Sequence, residues 1–226
     1  QHGIAQTGQM STDDPASCET ITWASDHFLA WPSVEHLPSG MARGSREKIL
    51  CVGRPDAVDD AGPDGPFHDI AVCENLHWDR YSDCDRSAFL SRLSALSQAC
   101  PNLSILVRSH PAGAWMDDHA HGLNGHDNIV FIPAEQSRRE LASARSWLRR
   151  CGRVITTPST IALDAAQCGL PVALAFPGGP VLHGLPVLEG APDWIDFALS
   201  PLPDPVPDLV HRSVRPGNAI ERIIAC

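Results

Sequence analysis

The chain has 226 residues, of which 43% are hydrophobic and 19% are charged, so it is long and apolar enough to bury a compact core. Its formal net charge of -10 argues against a general nucleic-acid or anionic-membrane binder, because both classes of protein need a basic surface. No stretch reaches the roughly 18 apolar residues that a membrane-spanning helix requires. We therefore expect a cytoplasmic protein that does not bind nucleic acid.

In chain order, the sequence alternates between strand-like and helix-like segments. Residues 1–20 are polar and turn-rich, which is typical of a linker. Short apolar runs predict strands at residues 28–31, 48–52, 69–73, 104–108, 128–132, 153–156 and 171–176. Helical spacing predicts helices over 85–99 and 160–168, and a third helix that begins at a capping box of Ser137 and Glu140.

Beyond residue 178 prolines dominate the sequence until a last short helix at 218–224. Strands that alternate with helices in this way predict a parallel sheet with right-handed crossovers. The predicted fold class is therefore α/β, with a Rossmann-like parallel sheet and flanking helices.

The eight cysteines show no CxxC pair and no short metal-ligand spacing, which favours reduced thiols in a cytoplasm. The sequence begins with neither methionine nor a signal peptide, so we expect it to be part of a longer chain. One loop gathers side chains that bind metals in other proteins: Asp117, Asp118, His119, His121, His126 and Asp127. Its uneven, glycine-rich spacing suits a solvated loop, and we predict no metal site.

The most informative segment is 153–172, which reads RVITTPSTIALDAAQCGLPV. It predicts a buried strand, a turn that Ser159 caps, a helix whose first residue is Thr160, and a stop at Gly169 before the next strand. Such a turn directs free backbone N–H groups and the positive end of a helix dipole at one point, which suits a phosphate. The alternative is that Ser159 only caps the helix.

A second signal is the strand ending LSILVRSHP, in which His110 precedes Pro111. Proline restricts the residue before it to extended geometry, so the ring of His110 leaves the carboxyl end of its strand in a defined direction. Ligands of open α/β sheets lie at those carboxyl ends. We therefore expect His110 to face the same crevice as Ser159 and Thr160. The alternative is a structural histidine.

The segments RSHP and TTPSTIALDAAQCGLPV together resemble the donor-binding half of GT-B glycosyltransferases that build bacterial surface polysaccharides. They are similar to capsule polysaccharide transferases and to CDP-glycerol glycerophosphotransferases. The opening QHGI and the later DHFLAWPSVEHLPSGMARGSREKILCVGRP resemble the stretch between the two GT-B domains, and RPGNAIERII resembles the terminal helix. The resemblance implies three parts: a linker with a remnant of a preceding domain at 1–47, a donor-binding domain at 48–190, and a proline-rich tail with a helix at 191–226.

The resemblance also implies a function, a transferase that moves a sugar or glycerophosphate from a nucleotide-linked donor to a glycan or polyol-phosphate acceptor. The donor is CMP- or CDP-linked, and neither metal nor cofactor takes part. His110 is the catalytic residue, because it stabilises charge on the nucleotide leaving group. The donor-binding residues that we predict are Gly53, Arg54, Glu74, Arg108, His110, Ser159, Thr160 and Asp164.

Individual roles follow from the same resemblance. Asp164 accepts the ribose hydroxyls, Arg54 pairs with the diphosphate through its planar fork, and Glu74 contacts the base or the sugar. The alternatives are a partly exposed helix aspartate at 164 and a turn-capping glutamate at 74. The general base belongs largely to the other domain, and His2 is the one residue of this chain that we consider for it. Any association with the inner face of the membrane would come through the rest of the longer chain that we expect.

Two other classes of function stay open. One is a non-hydrolysing nucleotide-sugar epimerase, which shares the GT-B architecture, although its usual acidic and glycine-rich phosphate turn is not matched by TPST. The other is a non-catalytic nucleotide-binding domain.

Overall fold

The computed structural model describes residues 27–30, 47–53, 67–139, 144–178 and 182–201. The chain divides into two compact units. The first comprises Gln1–Val58, Gly179–His183 and Pro207–Cys226, and the second comprises Asp59–Gly178 and Gly184–Val206. In the first unit, strands β1 (Phe28–Ala30) and β2 (Ile49–Cys51) pair in parallel, as two of the predicted strands.

The second unit contains a five-stranded parallel sheet in the order β5-β4-β3-β6-β7. Its strands are β3 (His68–Cys73), β4 (Ile105–Arg108), β5 (Ile129–Ile132), β6 (Cys151–Thr156) and β7 (Val172–Leu174). The helices are α1 (Asp83–Ala99), α2 (Trp115–His119), α3 (Ala134–Arg139), α4 (Ala144–Leu148), α5 (Ile161–Gln167) and α6 (Ala191–Leu199). The predicted Rossmann-like α/β fold is confirmed.

Helix α1 shows how local sequence sets an element. A capping box begins it, because Ser82 Oγ accepts the N–H of Asp85 while the Asp85 carboxylate accepts the N–H of Ser82. Phe89, Leu93 and Leu96 follow at helical spacing and are fully buried in the core. The helix predicted at 85–99 is confirmed, with a start two residues earlier.

Helix α6 was not predicted, since the sequence analysis treated residues 191–226 as a proline-rich tail. Pro192 occupies its first turn, where a missing N–H costs nothing. The Asp193 carboxylate accepts the N–H groups of Glu189 and Gly190, both at 2.9 Å. Trp194 is fully buried and meets Phe89 edge to face with ring centroids 5.4 Å apart. This helix therefore completes the core on the same side as α1.

Two further expectations are wrong. Ser137 lies inside α3, which begins at Ala134, and its N–H donates to Pro133 O at 2.9 Å, so it does not cap a helix. The loop expected between β4 and β5 contains α2 and a 3-10 turn, Ala120–Leu123.

None of the described helices combines the length and the apolar character that a membrane span requires. The helix predicted at 218–224 lies outside the described residues.

Candidate functional site

The loops that follow β4, β3 and β6 meet at the carboxyl edge of three adjacent strands, and Glu74 joins the first two. Its Oε1 accepts the N–H of His110 at 3.1 Å, and its Oε2 accepts the N–H of Leu76 at 2.6 Å. The side chain is buried, and this burial raises the pKa of its carboxyl. Glu74 therefore holds the backbone of His110 against the loop after β3.

The loop after β3 also holds the turn after β6. Asn75 Nδ2 donates to Pro158 O at 3.1 Å, and an Arg80 guanidinium N–H donates to the same oxygen at 3.0 Å. The N–H of Thr157 continues the sheet by donating to Cys73 O at 3.0 Å. One edge of the sheet thus carries the predicted residues His110, Ser159 and Thr160. Their loops are hydrogen-bonded to the loop after β3, which lies between them.

The turn itself differs from the prediction in its cap. Helix α5 begins at Ile161 with Thr160 as its N-cap residue, and no side chain caps it. The Ser159 hydroxyl instead forms a hydrogen bond with Thr156 Oγ1 at 3.1 Å, so the prediction that Ser159 caps the helix is wrong. Within the described parts of the chain, the backbone N–H groups of Ser159, Thr160 and Ile161 have no hydrogen-bond acceptor. Backbone N–H groups without an acceptor in the protein need a ligand or water as their partner.

His110 presents a defined tautomer. Its Nδ1 accepts the N–H of Ala112 at 3.1 Å, so the neutral ring carries its proton on Nε2. Burial, together with the nearby His77, lowers the pKa of His110 from its usual 6.5 to about 4. At neutral pH the ring is therefore an uncharged donor through Nε2.

His77 is a site residue that the sequence analysis missed. Its ring packs on that of His110 with centroids 4.7 Å apart and planes tilted by 35°. Gly113 lies under the His77 ring so closely that a Cβ atom there would overlap it. Burial lowers the pKa of His77, and Arg80 adds to this effect. No motif marks this histidine; its only signal is that it follows a predicted strand.

Buried polar atoms without a hydrogen-bond partner gather at the same edge. Four of the five such atoms in the described part of the chain belong to the two loops after β3 and β6: Asn75 Oδ1, His77 Nδ1, Tyr81 OH and Thr157 Oγ1. Arg80 and Thr157 lie near the Tyr81 hydroxyl without reaching hydrogen-bond geometry, and burial raises the pKa of Tyr81. Such atoms are rare in folded proteins and call for water or a ligand.

The other predicted residues lie as follows. Arg108 is buried, with its guanidinium over the Trp147 ring at 4.8 Å and 3.4 Å from Ser137 Oγ, so it is held against the layer of α3 and α4. Asp164 lies in the first turn of α5 and is only 3% exposed, which contradicts the alternative of an exposed aspartate. Gly53, in the first unit, is buried at a positive φ of 89°. Arg54 and His2 lie outside the described residues.

The loop that gathers possible metal ligands, where we predicted no metal site, has other contacts. The Asp117 carboxylate accepts the Ser109 hydroxyl at 2.6 Å and the N–H of Ala134 at 3.0 Å. His126 Nε2 lies 2.9 Å from Ser94 Oγ. Within the described ranges, no three metal-binding side chains gather into a group that could hold an ion.

Solved structures resemble this chain in fold. The UDP complex of MnaA from S. aureus matches with a TM-score of 0.60 and 16% identity, over 88% of this chain and 58% of that chain. A UDP-GlcNAc 2-epimerase from Methanocaldococcus jannaschii, in complex with UDP-GlcNAc and UDP, matches at 0.62 and 12%, over 89% and 60%. The pneumococcal O-GlcNAc transferase GtfA, in complex with UDP and GlcNAc, matches at 0.53 and 11%, over 100% and 50%.

This chain therefore spans 50% to 60% of the length of those three proteins. No protein-family model matches the sequence, and neither does any curated protein. The predicted resemblance to GT-B proteins is confirmed for the fold, which is the Rossmann-like architecture that glycosyltransferases and UDP-GlcNAc 2-epimerases share.

Proposed function

We propose that this chain is the donor-binding half of a GT-B transferase that moves a sugar or glycerophosphate from a nucleotide-linked donor to a bacterial surface polysaccharide. One observation supports this most. The loops after β4 and β6 are both hydrogen-bonded to the loop after β3. Together they hold the neutral imidazole of His110 and a turn whose backbone N–H groups lack an acceptor at the same sheet edge. Ligands of open α/β sheets bind at such an edge.

The donors in this site suit a diphosphate. The Nε2–H of His110, the backbone N–H groups of the turn and the hydroxyl of Thr160 would donate to phosphate oxygens. The Ser159 hydroxyl would do the same by leaving its hydrogen bond to Thr156 Oγ1, because the Thr156 hydroxyl already donates to Thr157 O. As the bond to the transferred group breaks, negative charge grows on the nucleotide diphosphate, and fixed donors stabilise that charge more than they stabilise the ground state. No general base is assigned to this chain.

Three further residues are part of the proposal. Glu74 acts by fixing the backbone of His110, because both of its carboxylate oxygens already accept N–H groups. Asp164 stays our candidate for the ribose hydroxyls, since it lies in the first turn of α5, beside the turn at residues 157–160 that we call the phosphate turn. Arg54 stays a candidate for the diphosphate on the resemblance alone.

The resemblance to CDP-glycerol glycerophosphotransferases favours a cytidine nucleotide, whereas the three structural neighbours were determined with UDP. Calorimetric titration of the chain with CMP, CDP, UDP, ADP and GDP separates these possibilities. We expect the cytidine nucleotides to bind more tightly than ADP or GDP. Equal affinity for all five would remove the base preference, and no binding of any would remove the donor site.

A UDP-GlcNAc 2-epimerase activity is the second candidate, and the neighbour with a TM-score of 0.62 favours it. Incubation of the chain with UDP-GlcNAc in deuterium oxide tests this activity, because epimerisation at C2 exchanges the C2 hydrogen with solvent. Deuterium at C2 would favour the epimerase over the transferase. Nucleotide binding without exchange would count against an epimerase activity of this chain.

A further inference from the structure

Two side chains donate to one carbonyl oxygen in the phosphate turn. The Arg80 guanidinium reaches Pro158 O at 3.0 Å and Asn75 Nδ2 reaches it at 3.1 Å. These bonds join residues 78 and 83 positions apart in sequence. A carbonyl oxygen has two lone pairs, so both acceptor positions of Pro158 are occupied.

The Pro158 carbonyl belongs to the same peptide group as the Ser159 N–H. The described chain contains no cis peptide bonds, so this N–H points away from the carbonyl across a planar amide. Donors at the oxygen draw electron density through the amide and make the N–H a stronger donor. That N–H has no acceptor in the described residues, so its added donor strength is available to a ligand.

The two donors differ in surroundings. Asn75 is 5% exposed and fixes the direction of the carbonyl, whereas Arg80 is exposed and brings a positive charge. The Tyr81 ring lies under the Arg80 guanidinium, 4.9 Å from its central carbon, and limits where that charge can go.

We infer that Asn75 and Arg80 are positioning residues that orient and polarise the Pro158–Ser159 peptide, so that its N–H binds an oxyanion of a diphosphate ligand. The positive charge of Arg80 thus strengthens anion binding through the peptide rather than by contact with the anion. The inference rests on the proposed donor site, because the diphosphate of the nucleotide is the anion.

The test compares Arg80→Gln with Arg138→Gln, a matched control that removes the same charge from an exposed position on α3. Pyrophosphate and CDP are titrated calorimetrically, and the Ser159 amide resonance is recorded in ligand-free protein. Because Arg80 is exposed, Arg80→Gln should fold normally. We expect it to weaken the binding of both ligands by up to about fivefold, because the Ser159 N–H becomes a weaker donor to the anion. Its Ser159 amide nitrogen should shift upfield, as the carbonyl loses a donor.

The Arg138→Gln control should leave both the affinities and the Ser159 resonance unchanged. Equal affinity of Arg80→Gln and wild type would overturn the inference, even if CDP binds well. A weakened affinity with an unmoved Ser159 resonance would also overturn it, because it would mean that Arg80 contacts the anion directly. If wild type binds neither ligand, the proposed donor site fails, and the inference fails with it.

Discussion

The contact between Gly113 and His77 can be tested by the single substitution Gly113→Ala. A Cβ atom at residue 113 would lie 2.6 Å from His77 Cβ and closer still to the ring, although ordinary contact begins at 3.4 Å. Gly113 has no positive φ, so the strain comes from His77 alone. Overpacking of this kind costs about 1–3 kcal/mol. Rotation of the partly buried ring can relieve its own overlap and separate it from His110, but the Cβ of His77 moves only if the backbone shifts, so we expect a cost of about 2–3 kcal/mol.

The matched control is Gly122→Ala, because a Cβ atom there meets nothing within 4 Å. That substitution should stabilise the fold by about 0.4–1 kcal/mol, since alanine narrows the unfolded ensemble. Urea unfolding should therefore show Gly113→Ala less stable than Gly122→Ala by about 2.5–4 kcal/mol. The pKa of His110 should also rise from about 4 towards 6.5 in Gly113→Ala, because the ring becomes less buried when His77 moves away and loses the repulsion of that neighbour. Equal stability of the two variants with an unchanged His110 pKa would refute the packing that we describe.

Four further outcomes are expected. His110→Ala should cost about 1.5–3 kcal/mol of nucleotide binding with little change in melting temperature, and a large melting shift with unaltered binding would make the residue structural. Thr160→Val should weaken binding about tenfold without loss of stability, because no side-chain cap is lost; matching affinities would remove this hydroxyl from the site. Ser159→Ala should cost about 0.5–1.5 kcal/mol of stability through its lost bond to Thr156, and an unchanged unfolding midpoint would contradict that bond. In NMR titration the His110 ring should have a midpoint near 4, so the stability from its neutral form is present above pH 6.5 and lost as the pH falls through about 4; a midpoint near 6.5 would contradict its burial.

The sequence predicted those elements whose formation depends on neighbouring residues in the chain. Strands β3 to β7 are short apolar runs between turn residues, and their boundaries lie within two residues of the predicted ones. The sequence did not predict α6, because the surrounding prolines suggested a tail and the Asp193 contacts that stabilise its start were not recognised. Ser137 failed as a cap because α3 begins earlier, at Ala134.

The residues of the candidate site also differ in whether the sequence alone marks them. His110 and the turn at Ser159 stood out because each follows a strand and carries proline nearby. Asn75 and Arg80 did not, because their bonds to Pro158 join residues 83 and 78 positions apart, and a single sequence carries no signal for such pairs. Only the sheet order, which sets β3 between β4 and β6, brings these loops together.

Charge limits how the proposed site would bind an anion. The chain has a net charge of -10, so its overall field opposes the approach of a diphosphate. His110 is neutral, and the N–H groups of the turn are uncharged. A bound diphosphate would then depend on short-range donors held in fixed directions and on the charge of Arg80, which acts through the Pro158 carbonyl. The affinity of the proposed site would therefore depend on how firmly Glu74 and Asn75 hold its donors in position.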